Sequence, residues 1–211
     1  MAFVFKHVRL KFASSPYFLI LMTPTFIDSV NYNSENYTIQ PLEKAEYDNC
    51  NFHNCNFTGA DLTYITFIDC VFDTCNFSNA NIKHTIFRDI NFIDCKLTGL
   101  QFQDCNPFLL SFSFSNCQLQ FSSFYKLKLK GTAFNNCNLH DANLVEADFS
   151  NALFDNCDLK HAIFEQTNLK NADFSSSENF NINPQNNVIK QAKFSKENVL
   201  GLLQHYQIKI V

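Results

Sequence analysis

Residues 137–164, CNLHDANLVEADFSNALFDNCDLKHAIF, place Leu139, Leu144, Phe149, Phe154, Leu159 and Phe164 five positions apart. A helix returns to the same face every 3.6 residues and a strand every two, so neither can bury every fifth side chain as a regular element. The period runs through most of the chain. Steps of five from Leu42 to Phe102, and again from Leu109 to Phe174, meet only apolar or aromatic residues. Between the two series lies one step of seven, from Phe102 to Leu109. It implies a two-residue insertion around DCNPF, with Pro107 at its centre and a small bulge or kink there.

Two further positions repeat with the same period. The residue two before each central one is mostly Ala or Cys, as at Ala45, Cys50, Cys55, Ala142 and Cys157. The residue two after it is often Asn, Asp or Gly, as at Asn49, Asn54, Gly59, Asp69 and Asn151; these types tolerate turn dihedrals or bond their own backbone. A chain that turns every five residues and points one large and one small group inward winds into a square coil, closed by four such units.

This pattern resembles the pentapeptide-repeat family, whose motif is A(D/N)LXX: ANLVEADFSNALF and TNLKNADF follow it closely over a match of about residues 42 to 176. The resemblance implies an all-β fold, a right-handed quadrilateral β-helix, here with a short C-terminal capping helix. About 27 pentapeptides stacked at strand spacing would give nearly seven coils and a rod of roughly 32 Å. Each coil buries its large residues against its neighbours, so no further domain is needed, and both ends require caps. The 25 phenylalanines and the absence of Trp suit one narrow interior.

Residues 22–41 read as the start of the coil, with Ile27, Tyr32 and Tyr37 already in register, and residues 177–211 as the C-terminal cap. Within that cap, SKENVLGLLQHY suggests a short helix with Ser195 as N-cap and Glu197 in its first turn, followed by a terminal strand, IKIV. Val199, Leu200, Leu202, Leu203 and Tyr206 fall close to one face, with Ile208 and Ile210 in the strand. They either cap a monomer or leave an apolar face for a two-fold mate. The tail is similar to that of Qnr-like and microcin-immunity pentapeptide proteins, which dimerise end to end, and this resemblance implies a homodimer.

The formal net charge is −4, but Lys6, Arg9 and Lys11 lie in an N-terminal stretch without acids, so residues 22–211 carry 13 basic against 20 acidic groups, or −7. That balance disfavours direct nucleic-acid binding, which needs clustered Lys and Arg. An acidic rod can instead dock on a basic, DNA-binding surface. Asp69 and Asp89, 20 residues apart, should stack in adjacent coils, with Asp94 and Asp104 on following faces. Asp141, Glu146, Asp155 and Glu165 complete the candidate acidic surface. Spread evenly, seven net charges over roughly 32 Å are sparse beside one per about 1.7 Å of duplex DNA, so mimicry requires one concentrated face.

All nine cysteines occupy the small inward position, Cys105 if the first register runs on to Pro107, without CxxC spacing, and are expected to be buried free thiols that suit a reducing compartment, with zinc or a disulfide as the other reading. The histidines within the repeats, His53, His84, His140 and His161, fall on outward positions. Three of the four glycines, Gly59, Gly99 and Gly131, sit at repeat turns, so there is no phosphate-binding glycine loop. No cofactor, metal site or catalytic constellation is expected, and an enzyme is disfavoured.

Residues 1–21 lie outside the pattern and read as an N-terminal extension, disordered or upstream of an alternative start at Met22, with a poor secretory or transit leader as the other reading. The run YFLILM is too short to span a bilayer. The resemblance to the Qnr-like group implies a cytoplasmic DNA mimic that binds the type II topoisomerases, DNA gyrase or topoisomerase IV, and protects them from quinolones or a peptide gyrase poison. One departure stands out: Gram-negative Qnr proteins carry two longer loops, whereas this chain offers only the two-residue break near Pro107. The competing reading is a structural or interaction scaffold, because the fold by itself implies no topoisomerase role.

Overall fold

The computed structural model describes residues 25–209; the expectations for residues 1–21 and for Ile210 lie outside them. The chain winds as a four-sided coil in which each side is one pentapeptide. On one side β1 (Thr25–Asp28), β3 (Ala45–Asp48), β5 (Thr66–Ile68) and β7 (Ile86–Arg88) form a parallel sheet in the order β1-β3-β5-β7. On the next, β2 (Asn31–Asn33), β4 (Asn51–His53), β6 (Val71–Asp73), β8 (Ile90–Ile93), β9 (Phe112–Ser115), β10 (Ala133–Asn135) and β11 (Leu153–Asp155) make a seven-stranded parallel sheet. The other sides are held by single parallel bridges such as Asn56↔Asn76 and Asn143↔Ile163. The register is 20 residues except across the one coil that follows the insertion, where Ile90↔Phe112, Lys96↔Gln118 and Gln101↔Ser123 pair 22 residues apart.

The five-residue period is explained by the corners. The residue two after most central ones has a left-handed backbone, as at Asn49 (φ 50°), Asp69 (φ 50°), Asn116 (φ 56°) and Gly131 (φ 76°). Asn, Asp and Gly tolerate this conformation best, but the coil imposes it on Tyr64, Phe121 and Lys126 as well. The polar residue before each centre has a local task that the spacing alone did not reveal. Asn56 Oδ1 accepts from both the backbone N–H (3.0 Å) and the hydroxyl (2.7 Å) of Thr58, and Asn76 does the same for Ser78. These Asx turns set the bend before the corner.

Inside, the large side chains stack in vertical columns. Tyr32, Phe52, Phe72, Phe92, Phe114, Phe134, Phe154, Phe174 and Phe194 form one unbroken pile, with ring centroids 4.6 to 5.5 Å apart and planes within 18° of parallel. Adjacent columns meet edge to face, as between Phe72 and Phe77 at 88°. All nine cysteines are free and buried between these columns. The Cys70 thiol donates to the carbonyls of Ile68 (3.2 Å) and Tyr47 (3.4 Å). Its hydrogen bond with Cys50, and then burial, push its pKa up. Burial and the Asp104 carboxylate do the same to Cys105.

The insertion falls where the step of seven put it, but Leu109 is not a central residue. Registers Ile86↔Asn106 and Ile90↔Phe112 confine the two extra residues to a loop between 106 and 112. There Leu109 occupies a left-handed corner (φ 54°) and is 56% exposed, beside Phe108 at 67%. The place its side chain was expected to fill is taken by Phe112, a large residue at the normally small position. The Phe112 ring packs against Phe87, Phe102 and Phe114. Asp104, expected at a turn, ends a 3-10 turn, Phe102–Asp104.

At the C-terminus the bridges Asn168↔Val188 and Asp173↔Lys193 carry the coil to residue 193. The expected α-helix is replaced by two 3-10 turns, Val199–Leu202 and Gln204–Tyr206, and Ile208 and Lys209 form no strand. The N-cap position falls on Asn198 and not on the expected Ser195, and no side chain caps the turn; Ser195 holds the bend before it, its hydroxyl accepting from Asn198 N–H (3.2 Å) while its own N–H donates to Asn198 Oδ1 (2.9 Å). A longer helix is precluded because this segment must hug the coil end. The Asn198 amide donates to the Phe174 and Ser177 carbonyls, both at 2.8 Å. A Cβ at Gly201 would lie 2.4 Å from the Phe180 carbonyl oxygen, so only glycine permits this approach.

Two outcomes check this arrangement. Leu119→Ala, at a fully buried centre, should destabilise by about 2–5 kcal/mol in urea melts, whereas Leu109→Ala should cost no more than about 0.5 kcal/mol. A thiol reagent should modify none of the nine cysteines in the folded protein and all nine after denaturation.

Candidate functional site

A coil with a filled interior offers only its outward positions for recognition: the residues flanking each centre and the four corner columns. The register sorts the predicted acids among them. Asp69 and Asp89 share one corner column, one coil apart, beside the paired residues Ile68↔Arg88. Asp94 and Asp155 border the next corner, following β8 and within β11. Asp141 lies on the third, while Asp104, Glu146 and Glu165 lie on or beside the fourth. The candidate acids therefore do not share one face.

Several of them are also partnered locally. Glu146 pairs with Lys126 at 3.3 Å and accepts from the Tyr125 hydroxyl at 3.1 Å. Asp141 lies 3.4 Å from His161 Nδ1, and Asp155 accepts from the Ser176 hydroxyl at 2.7 Å. Asp89 accepts from Ser111 Oγ at 2.8 Å while its N–H donates back to that oxygen at 2.6 Å, a neutral partner that leaves the charge in place.

Asp69 and Asp89 instead belong to a denser cluster on the β1-β3-β5-β7 side. Asp28 and Asp48 are register partners, and Glu46 lies two residues before Asp48 on the same strand. With them the N-terminal half of this side carries five carboxylates, Asp28, Glu46, Asp48, Asp69 and Asp89, against Arg88 alone. None of the five forms an ion pair among the described residues. Over four coils, roughly 19 Å, that is about one net charge per 5 Å, about a third the linear density of duplex DNA. Asp28, Glu46 and Asp48 were missed in the sequence, although the 20-residue spacing of Asp28 and Asp48 was a signal. A shallow depression of about 310 Å³ opens beside this cluster between Asp69, Asp89, Ser111 and Ser113.

A larger groove of about 750 Å³ lies against the C-terminal turns, lined by His140, Asp158, His161, Glu165 and His205. Within it His140 Nε2 lies 2.6 Å from Asp158. No three or more His, Cys, Asp or Glu side chains among the described residues are grouped to hold a metal ion, and no helix there is long and apolar enough to cross a membrane. Beyond this groove, Val199, Leu200, Tyr206 and Ile208 are 37 to 56% exposed. Leu202 turns inward to pack on the core and Leu203 is half-buried, so the expected apolar face is divided between cap and surface.

Family models described as a pentapeptide repeat region match residues 40–108 and 65–144, and one described as pentapeptide repeats (9 copies) matches residues 129–178. No curated protein sequence matches. Among solved structures, full-length QnrB1, a plasmid-mediated fluoroquinolone resistance protein, is 20% identical with a TM-score of 0.51 over 87% of this chain and all of its own. A trypsin-treated variant of it is 19% identical with a TM-score of 0.50, covering 90% of this chain and all of its own. HetL, a pentapeptide repeat protein involved in heterocyst differentiation regulation in the cyanobacterium Nostoc, is 15% identical with a TM-score of 0.37, over 80% and 86% of the two chains. At these identities the likeness to QnrB1 is one of fold.

The paired carboxylates give the coil an acid limit. Asp158 is held below its ordinary pKa of 3.8: partial burial acts against this, and donation from His140, Asn179 and the Lys160 N–H outweighs it. Asp173 is lowered by the Ser175 hydroxyl, against partial burial, and then by the Ser175 N–H and Lys193. A carboxylate depressed in the folded state adds stability above its unfolded pKa and loses it as pH falls through the folded value. These groups should therefore leave the urea midpoint unchanged above about pH 5 and lower it below about pH 4. Asp173→Asn should shallow that acid limb, and an unchanged limb would contradict the assignment.

Proposed function

Because the chain belongs to the pentapeptide repeat family, we propose that it works by binding and not by chemistry, as an acidic rod that docks on the DNA-binding surface of a type II topoisomerase, DNA gyrase or topoisomerase IV. The observation that carries this reading is the concentration of Asp28, Glu46, Asp48, Asp69 and Asp89 on one side of one end of the coil, without ion-paired lysines. Such an edge presents regularly spaced anions on a rigid support, which a surface evolved to hold phosphates can accept. The fold likeness to QnrB1, named as a fluoroquinolone resistance protein, adds support for protection of the enzyme from quinolones or a peptide poison. The exposed Val199, Leu200, Tyr206 and Ile208 favour end-to-end pairing of two rods through the C-terminal turns. A topoisomerase partner implies a cytoplasmic protein.

The second reading is an interaction scaffold without a topoisomerase. It is favoured by the opposite half of the same side, where Lys128, Lys130, Lys170 and Lys190 make the rod a poor uniform mimic of DNA.

Supercoiling by gyrase and topoisomerase IV relaxation, each titrated with the protein with and without ciprofloxacin, separate the two. Protection from the drug, or inhibition at higher protein, is the expected result. Asp69→Asn with Asp89→Asn should require at least about tenfold more protein for the same effect, equivalent to about 1.4 kcal/mol of binding. Absence of any effect on either enzyme would leave the scaffold reading.

A further inference from the structure

The side built on β1, β3, β5 and β7 continues past the loop at 107–111 as four more layers centred on Leu129, Phe149, Leu169 and Ile189, through the register Lys128↔Asp148↔Asn168↔Val188. Four layers lie before the loop, centred on Ile27, Tyr47, Phe67 and Phe87, and four after it. The first four carry the five carboxylates against Arg88. The last four carry Lys128, Lys130, Lys170 and Lys190, all exposed, against Asp148. None of these lysines forms an ion pair among the described residues. One flat side of the rod is thus acidic at one end and basic at the other, and its midpoint is a loop exposing Phe108 and Leu109.

We propose that this side is a docking surface for the same side of a second copy of the chain, laid antiparallel, with the two-fold axis through the loop at 107–111. The axis crosses the rods in the plane between them, so it inverts the order of layers while keeping each position's place across the side. With the loop counted as the fifth of nine layers, the first then meets the ninth, and the second the eighth. Asp28 faces the partner's Lys190, and Asp48 faces the partner's Lys170, each pair at the position just after its layer's centre. At the position just before the centre, Phe26 faces the partner's Val188, two apolar residues that are 42% and 53% exposed in the single chain. Phe108 and Leu109 meet their own copies on the axis. Arg88 opposes the partner's Lys130, and this like-charged contact is offset by Asp89 beside Arg88.

A parallel arrangement would set acid on acid and lysine on lysine, so the charge pattern selects the antiparallel one. Nine layers at strand spacing give a contact about 40 Å long, and a side of five residues is about 16 Å wide. That footprint approaches the roughly 800 Å² per partner of a standard interface. An isologous contact of this kind closes on itself and does not propagate into fibres.

Sedimentation velocity of the full chain tests the proposal. It would be run at about 0.02 M and about 0.5 M salt, between which the Debye length falls from roughly 20 Å to under 5 Å. Side-by-side pairing should weaken at least tenfold at the higher salt. Lys170→Glu and Asp48→Lys should each weaken it at least tenfold at low salt. The double variant restores both opposed pairs with reversed sign and should return to within about threefold of the parent, a difference of about 0.7 kcal/mol. Pairing through the C-terminal turns is apolar and responds to neither salt nor these substitutions. Association unmoved by salt and by both single changes, or a double variant no stronger than the singles, overturns the side-by-side pairing without touching the topoisomerase reading.

Discussion

Ring-on-ring stacking at the strand spacing is the constraint on which the rest of the molecule depends. Parallel strands one coil apart are separated by about 4.8 Å, and the Phe52 and Phe72 rings, carried at equivalent positions, lie 4.8 Å apart in nearly parallel planes. A flat ring of one size satisfies that spacing at every level; a bulkier indole would not fit the same narrow shaft, and a chain rich in Phe and free of Trp follows. At most corners the shaft is closed by residues small enough to let the rings approach. Cysteine serves there because its thiol can donate to the carbonyl of the coil below, as Cys75 does to Phe52 at 3.2 Å, where alanine leaves that acceptor with its backbone partner alone.

Because the interior is spent on this stack, outward residues are nearly free of folding duties, and the surface reads as parallel columns with a 20-residue step. Charge can then be written onto one column without disturbing its neighbours. The same freedom lets an ion pair form where register partners are opposite in sign, as at Lys193 and Asp173. It also explains why Asp28, Asp48, Asp69 and Asp89 keep their charges unpaired: their neighbours in register are acids or neutral residues, whereas in the other half Lys128 does meet an acid in register, Asp148.

The square coil, its corners and the buried thiols were legible in the sequence because each is enforced at every fifth residue. The failures share a cause, since each concerns a place where the period stops carrying information. Leu109 is apolar and correctly spaced from Phe114, so hydrophobicity could not distinguish it from a centre; only the appearance of Phe112 at a small position marks the substitution of one core residue for another. The C-terminal segment has helical spacing in Val199, Leu202, Leu203 and Tyr206. Yet Gly201 must press against Phe180, and the backbone tightens into 3-10 turns to do so. The acidic surface was sought by residue type around all four corners. The grouping that exists follows layers along one side; the 20-residue step from Asp28 to Asp48 signalled part of it, and Glu46 becomes visible only when the register is known.

Partner binding and self-pairing draw on the same carboxylates. Asp28 and Asp48 face lysines in the antiparallel pair and would face the basic surface of a topoisomerase, so one protein molecule cannot offer them to both. The apolar C-terminal turns lie at the far end of the rod from this acidic half and are compatible with either state. Side-by-side pairing then acts as a reservoir: it lowers the concentration of free acidic faces by mass action, and a basic partner that binds more tightly than the lysine-bearing half draws single faces out of it. The lysines are what make such an exchange possible, since they hold the acidic half in reserve with a surface of the same chain and release it to any partner whose positive charge is denser than their own.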